Sequence, residues 1–519
     1  MAESAAARPA ISLADLAAAL RDRDRRSRLL RTGDAPSSVY TVFSWSLDRL
    51  PPAAAKGFRL LGCYPGRTFD EFLLAALSGT DTRSSADVAE ALSRAHLVER
   101  TEERFRMHDL LREYASDIAR TDLTGAERDE ALDRVQAYHR AAVSAAVDVI
   151  APFERHYRPS PSRSTTPVPA FRTPADAHRW LEGERQNVIA TAELGPDPHT
   201  IHIARAIWRH LNAGGYNDEG ARLCDLAVAA ARRAGDHVAE LHTLADKAIA
   251  LVHLGRATGL EGELLQAIEA AKRVGDKVAE GRVLNSAAIV HDNQGDLAKS
   301  VTHDLAALRL AREAGDRYGE YRTLINLGTS YHRIGEVVKG DELSKQGLAL
   351  ALEDGNAGAA SRALNNLGYH ATLDGDPDAA IGYLRRALEL TGRAGDRATR
   401  GFALVNLGTA HILGGDPHRA STALRDARDV AIATGDRRLL LSCYVGLGEL
   451  AALTGQPELA IDQYRRALDL ARESGYSYQA HRVHTVLVRA YSDAGDEERA
   501  ENHRREAERL ARELGLPQG

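Results

Sequence analysis

Glycine recurs through the C-terminal part of this chain at a fixed interval. Gly235, Gly275, Gly315, Gly355, Gly395, Gly435, Gly475 and Gly515 stand 40 residues apart. Gly215, Gly255, Gly295, Gly335, Gly375, Gly415, Gly455 and Gly495 repeat the interval 20 residues out of phase. Two interleaved registers of this length do not arise by chance. Each glycine is expected to end a helix, because glycine enters the left-handed C-cap at little steric cost. The repeating unit is therefore helix, turn, helix, turn, eight times from about residue 196. No such unit can bury its own apolar face. Neighbours must stack, and the stack must coil into a superhelix with a concave groove.

The helix faces agree with this reading. In TLINLGTSYHRIG, Leu324, Leu327 and Tyr331 recur at helical spacing around Gly328. ALNNLGYHATLDG and ALVNLGTAHILGG place Gly368 and Gly408 in the same position, and Gly448 follows, where two helices must approach closely. In the second helices Ala227, Ala267, Ala307, Ala387, Ala427, Ala467 and Ala507 hold one column. The Leu-Gly pair, the later Ala and the aromatic at Tyr464 resemble the tetratricopeptide repeat. That family's unit is about 34 residues long, so the second helix and its exit are expected to be longer here. The resemblance covers 196–515. It implies a groove lined by the first helix of each pair, and a protein or peptide ligand.

Residues 36–120 read as a compact module. SVYTVFSWSLDRL and PAAAKGFRLLG are helical segments broken at Pro51-Pro52, TFDEFLLAALSG is a third, and SADVAEALSRA is a fourth with Ser85 as its cap. LVERTEERFRM alternates across a polar turn and predicts a hairpin. Leu110, Leu111, Tyr114, Ala115 and Ile118 then stripe a further helix. Helices followed by a hairpin suggest a winged helix. Residues 121–195 read as a bridge, an amphipathic helix in ALDRVQAYHRAAVSAAVDVIAPF and then an extended, mobile connection in RPSPSRSTTPVPAFRTPADA. The expected fold class is thus all-α: a repeat superhelix preceded by a winged-helix domain and a helical linker.

The module followed by Arg106-Met107-His108-Asp109-Leu110 resembles the NB-ARC type of signal-transduction ATPase, most nearly actinobacterial regulators related to the Streptomyces antibiotic regulatory protein family. SLADLAAALRDRDRRSRLL, within 1–35, looks like a remnant of that family's small helical domain, and ADAHRWLEGERQNVIATAE, at 175–193, looks like its lead into the repeats. The resemblance implies that His108 reaches a bound nucleotide and helps hold an ADP-bound resting state, with Met107 and Asp109 shaping its position. Yet the phosphate loop G-x-x-x-x-G-K-[S/T] is absent from the sequence, and no strand ending in an acidic pair precedes residue 36. The chain reads as the C-terminal portion of a longer switch or as a stand-alone product without the core. No cofactor is expected, and His108 reads on its own surroundings as a surface histidine at a helix start. An ATPase core, from the same or another chain, would be the partner that gives it a role.

Composition excludes other classes. A net charge of −6 gives no general drive toward nucleic acid or an anionic membrane. The candidate recognition helix SSADVAEALSRA sets Asp87 and Glu90 against Arg94, whereas a groove-reading helix presents Arg, Lys, Asn or Gln. A DNA-binding regulator is therefore the alternative reading, and DNA is not expected as a partner. Cys63, Cys224 and Cys443 have no metal or redox spacing and read as reduced thiols of a cytosol. MAESAAARPA is not a signal peptide, and no run of 18 apolar residues spans a membrane. No catalytic motif appears. His303, His370 and His411 lack a partner column, so neither enzyme activity nor a metal is expected.

Two columns of the first helices do suggest a binding site. Asn326, Asn366 and Asn406 precede the Leu-Gly pair, and Arg282, Arg322 and Arg362 form a column four residues earlier. Positions i and i+4 share a helix face. An Asn amide can both donate to and accept from an extended peptide backbone, and an Arg fork suits a carboxylate. The columns predict a protein or peptide with acidic side chains, or a free C-terminus, along the middle of the groove.

Overall fold

A computed structural model describes residues 39–101, 104–160, 164–514 and 516. The 1–35 segment lies outside the described residues. The described residues form two compact units. One takes those up to Ala145 with 164–170 and 183–195, and the other takes 146–160, 171–182 and those from Pro196 onward. The stretch 121–195, read from sequence as a separate bridge, is divided between them.

In the first unit α1 (Val39–Asp48), α2 (Pro52–Leu61), β1 (Thr68–Phe69), α3 (Glu71–Ser78), α4 (Thr82–Arg94), β2 (Glu99–Thr101), β3 (Arg104–Arg106) and α5 (Asp109–Asp122) follow in order. The strands form one antiparallel sheet, β1-β3-β2, with Phe69 opposite Phe105 and their rings stacked at 5.6 Å. Phe58, Leu73, Leu74, Leu77 and Leu92 are fully buried and make the core. Thr68-Phe69, expected to open the third helix, forms a strand instead. Asp70 then starts the helix by accepting from Leu73 N at 2.8 Å. Asp81, not Ser85, caps α4 by accepting from Ser84 N at 2.9 Å, and Ser85 is buried against Thr80 at 2.9 Å. α6 (Gly125–Ile150), a six-residue 3-10 helix (Pro152–Tyr157) and α7 (Pro174–Leu194) occupy the former bridge.

The array is eight helix pairs. First and second helices alternate as α8 (Asp197–Gly214) and α9 (Asn217–Ala234), α10 (His237–His253) and α11 (Leu260–Val274), α12 (Lys277–Gln294) and α13 (Leu297–Ala314), and α14 (Arg317–Arg333) and α15 (Val337–Glu353). They continue as α16 (Ala357–Leu373) and α17 (Pro377–Ala394), α18 (Arg397–Leu413) and α19 (Pro417–Thr434), α20 (Arg437–Leu453) and α21 (Pro457–Glu473), and α22 (Ser477–Asp493) and α23 (Glu497–Glu513). In α14, α15 and α16 each helix is 17 residues long, so the extra length of the unit is shared by both helices rather than lodged in the second. Every described member of the two glycine registers has positive φ, from 62° to 90°. The following Asp often caps the next helix: Asp236 accepts from Ala239 N at 2.9 Å and Asp396 from Thr399 N at 2.9 Å. Gly-Asp thus ends one helix and starts the next.

The superhelix closes on itself. α8 touches α18, and α12 touches α22. Tyr476 Oη donates to Val252 O at 2.7 Å, and His253 Nδ1 lies 2.8 Å from Asp436 Oδ2. A Cβ on Gly215, Gly255 or Gly295 would fall 2.4–2.5 Å from Thr434, Ser474 or Leu514, each 219 residues further on. One superhelical turn therefore takes five and a half repeats, and the groove becomes a lumen.

Candidate functional site: the lumen of the repeat array

The first helices turn one face inward, and Asn326, Asn366, Asn406, Arg282, Arg322 and Arg362 all line a single cavity of about 360 Å³. Their individual situations differ. Arg282 is buried in an ion pair with Asp246, and its other terminal nitrogen lies 2.9 Å from His242 Nδ1. Burial pushes the Asp246 carboxyl up to about 6 despite Arg282. Burial, and next the Arg282 charge, hold His242 well below the usual imidazole range. Arg282 is thus committed within the wall. Arg322 lies over the Tyr318 ring at 5.4 Å, and its Nε is buried without a hydrogen-bond partner among the described residues. Glu320, two residues before Arg322, is held by Arg312 at 2.7 Å instead.

The Asn column forms a partial ladder between neighbouring first helices. Asn366 Nδ2 donates to Thr329 Oγ1 at 2.8 Å, and Asn406 Nδ2 to Asn365 Oδ1 at 2.9 Å. Asn326 Nδ2 is buried and has no partner among the described residues.

The lumen holds groups that the columns do not include. Arg333 reaches Asp292 at 2.6 Å and lies over the Tyr478 ring at 4.8 Å. Arg438 covers Phe402 at 4.6 Å, and Arg482 donates to Tyr369 Oη at 2.9 Å. Arg205 and Arg209 enter from α8, and burial lowers Arg205 to about 10. Arg482 continues the 282, 322 and 362 column at the 40-residue period, whereas Arg205, Arg209, Arg333 and Arg438 stand off both columns, so periodicity alone does not reveal those four. The helical segment Pro152–Tyr157 also lines the cavity through Glu154 and Tyr157. Its signal was compositional: Phe153 and Tyr157 fall close together in a chain with 5% aromatics.

The Met107-His108-Asp109 stretch lies in the other unit. Met107 is buried, while His108 and Asp109 are exposed. His108 stands at the start of α5 and accepts weakly from Leu110 N at 3.4 Å. In the array His303 stacks on His291, and His370 stacks on His332 while lying 3.0 Å from Asp341. No group of three or more His, Cys, Asp or Glu suited to a metal occurs among the described residues, and none of their helices is long and apolar enough to cross a membrane. Cys224 and Cys443 are buried, which pushes Cys443 up to about 12.

Comparison with known proteins decides the repeat type. The tetratricopeptide-repeat family model matches residues 359–433 and again 399–473. The array is a tetratricopeptide-repeat superhelix. The chain is also similar to the regulatory protein AfsR of Streptomyces griseus, at 30% identity over 274 residues, covering 51% of this chain and 27% of that protein. It is 34% identical over 155 residues to AfsR of Streptomyces coelicolor, covering 29% and 15%. The chain thus spans about a quarter or less of these relatives. Among solved structures, a Rap protein complexed with competence and sporulation factor superposes with a TM-score of 0.52 at 12% identity, covering 73% of this chain and 98% of that one. A signal-transduction ATPase with numerous domains and a tetratricopeptide-repeat sensor, from Pyrococcus horikoshii, gives a TM-score of 0.45 at 12% identity, covering 92% and 65%. The likeness to the Rap protein is one of fold.

Proposed function

We propose that the chain is a non-enzymatic regulatory module whose tetratricopeptide lumen binds an extended protein or peptide segment with acidic side chains or a free C-terminus. The observation that carries this reading is a set of buried donors around one cavity. Arg322 Nε, Asn326 Nδ2, Arg333 Nε and Arg438 Nε have no partner among the described residues. A buried donor left unmade costs about 1–3 kcal/mol, which a ligand's oxygens would recover. Asn293 Oδ1 and Gln479 Oε1 are likewise buried without donors. A wall offering both kinds of group suits a peptide backbone better than a simple anion. The Rap neighbour is complexed with a factor, and the AfsR relatives are regulatory proteins by name, which is consistent with this reading. The order helix, strand, two helices and hairpin in the first unit supports reading it as a winged helix, the relay for the binding event. Met107, His108 and Asp109 would sense nucleotide only with an ATPase core supplied, and exposed His108 is accessible for that role.

The test is a set of fluorescent extended decapeptides that differ in whether they carry carboxylate side chains, titrated by anisotropy. Members with carboxylates should bind and those without should not. The variant Asn326→Ala/Asn366→Ala/Asn406→Ala should weaken binding by roughly tenfold or more, one or two hydrogen bonds' worth, at a nearly unchanged Tm. Unchanged affinity, or collapse of the fold, would assign the column to packing.

A further inference from the structure

The 3-10 helix Pro152–Tyr157 meets the array on its concave side. Glu154 accepts from Arg209 Nη1 at 2.8 Å, and Phe153 stacks on Tyr318 at 5.8 Å. Tyr157 Oη donates to Asp316 Oδ2 at 2.5 Å, Arg205 Nη2 donates to Tyr157 O at 2.6 Å, and Arg282 covers the Tyr157 ring at 4.7 Å. His156 Nε2 lies 3.2 Å from Asp316 Oδ1. Burial works against the Glu154 charge, yet Arg209 holds its carboxyl below the usual carboxylate range. In six residues the segment reaches α8, α12 and α14, a span of four of the eight repeats.

Its means of attachment matter. A 3-10 turn of this length has poor internal hydrogen bonding and little stability of its own. Contacts to the groove hold it there, and those contacts are the kinds that bind ligands: a carboxylate on an Arg fork, rings on Arg and Tyr faces, and a backbone carbonyl taken by Arg205. Glu154 and Tyr157 share the cavity with Arg322 and the Asn column. After it comes the proline-rich stretch RPSPSRSTTPVPAFR, which cannot continue a helix.

We infer that Phe153–Tyr157 is an internal ligand of the lumen, and that the external ligand carries the same acidic and aromatic chemistry and enters by displacing it. This rests on the groove reading above for the existence of an external ligand, but not for the internal one. Tethering matters quantitatively. A segment on a short link presents itself at an effective concentration on the order of millimolar, and the apparent affinity of a competitor falls by the fraction of molecules in which the site is open. The resting protein is therefore insensitive to weak ligands, and a ligand that engages additionally Arg322, Arg333 and the Asn column beyond the internal segment gains the advantage needed to displace it.

The experiment uses the full chain and a fluorescent peptide of its own residues 150–160, IAPFERHYRPS, followed by anisotropy. The variant Phe153→Ala/Glu154→Ala/Tyr157→Ala clears the internal segment and should bind the peptide at least tenfold more tightly than the wild type. Adding Arg209→Ala to the cleared variant should abolish the gain. Equal binding by wild type and cleared variant overturns the inference, as does a gain that survives Arg209→Ala. Should the triple variant fail to fold, Tyr157→Phe removes only the hydroxyl donated to Asp316 and should itself tighten peptide binding several-fold; no tightening overturns the inference. The two readings fail separately. If the cleared variant binds IAPFERHYRPS while no acidic decapeptide binds either protein, the internal ligand stands and the external acidic peptide falls. If decapeptides bind wild type and cleared variant alike, the internal ligand falls and the groove reading stands.

Discussion

Asp70 faces a crowded buried site in the first unit. Arg104 pairs with Glu184 at 2.5 Å and reaches Asp70 at 3.8 Å, so one guanidinium serves two carboxylates. Burial, and next the Glu184 charge, push Asp70 up to about 7. Burial also lowers neighbouring His139 to about 4. These two groups act oppositely on stability. Asp70 binds its proton more tightly in the folded state, so its contribution falls as pH rises from about 4 through about 7. His139 binds its proton less tightly when folded, so its contribution grows as pH rises from about 4 to about 6.5. The whole protein's pH profile would mix them. Asp70→Asn isolates one, because Asn can still cap α3. The difference in melting temperature, variant minus wild type, should rise steadily between pH 4.5 and pH 7.5, the window set by the shifted carboxyl. A flat difference would show that Asp70 is ionised throughout.

At the element scale, the helix pairs stand on close approaches at glycine. A Cβ on Gly328 would meet Ser344 Oγ at 2.1 Å and Gly340 O at 2.8 Å, so α14 and α15 touch there nearly backbone to backbone. Gly382, inside α17, has nothing within 4 Å of the same point. Gly→Ala in an open helical site gains about 0.5–1 kcal/mol, whereas overpacking costs about 1–3 kcal/mol. Gly382→Ala should therefore raise the denaturation midpoint and Gly328→Ala should lower it. Effects of the same sign would mean that the tight contact relaxes freely. This element level was the most legible in the sequence. The glycine registers, the Leu-Gly pairs and the Ala column, whose members are buried from Ala227 to Ala507, reflect contacts between helices adjacent in sequence. Such contacts repeat with the period, so they leave a periodic trace. The strand at Thr68–Phe69 left none, since two residues are too few to show alternation.

At the scale of the whole array, the decisive contacts join residues about 160 to 220 positions apart, such as Tyr157 with Asp316 and Tyr476 with Val252. They depend on superhelical pitch, which sums small rotations at every pair, and no local pattern records that sum. The Arg and Asn columns could be read from the sequence; that the lumen closes around them, and that Glu154 and Tyr157 enter it, could not. Two aspartates at equivalent helix starts separate the local from the global contribution. Asp416 caps α19 by accepting from Arg419 N at 3.0 Å and is partly exposed. Asp436 caps α20 by accepting from Leu439 N at 2.9 Å, is almost wholly buried, and also meets His253 of α10 across the superhelical turn. Asp416→Ala should cost about 1 kcal/mol, the worth of a cap. Asp436→Ala should cost about 2–4 kcal/mol, because it also takes the buried carboxylate partner from the half-buried His253. The second variant alone should speed hydrogen exchange at 250–256 and 474–478, where successive turns meet, because in a solenoid a local loss otherwise stays with its neighbours. Equal costs and identical exchange maps would mean that the turns touch without holding one another, and that the lumen is an open groove in solution.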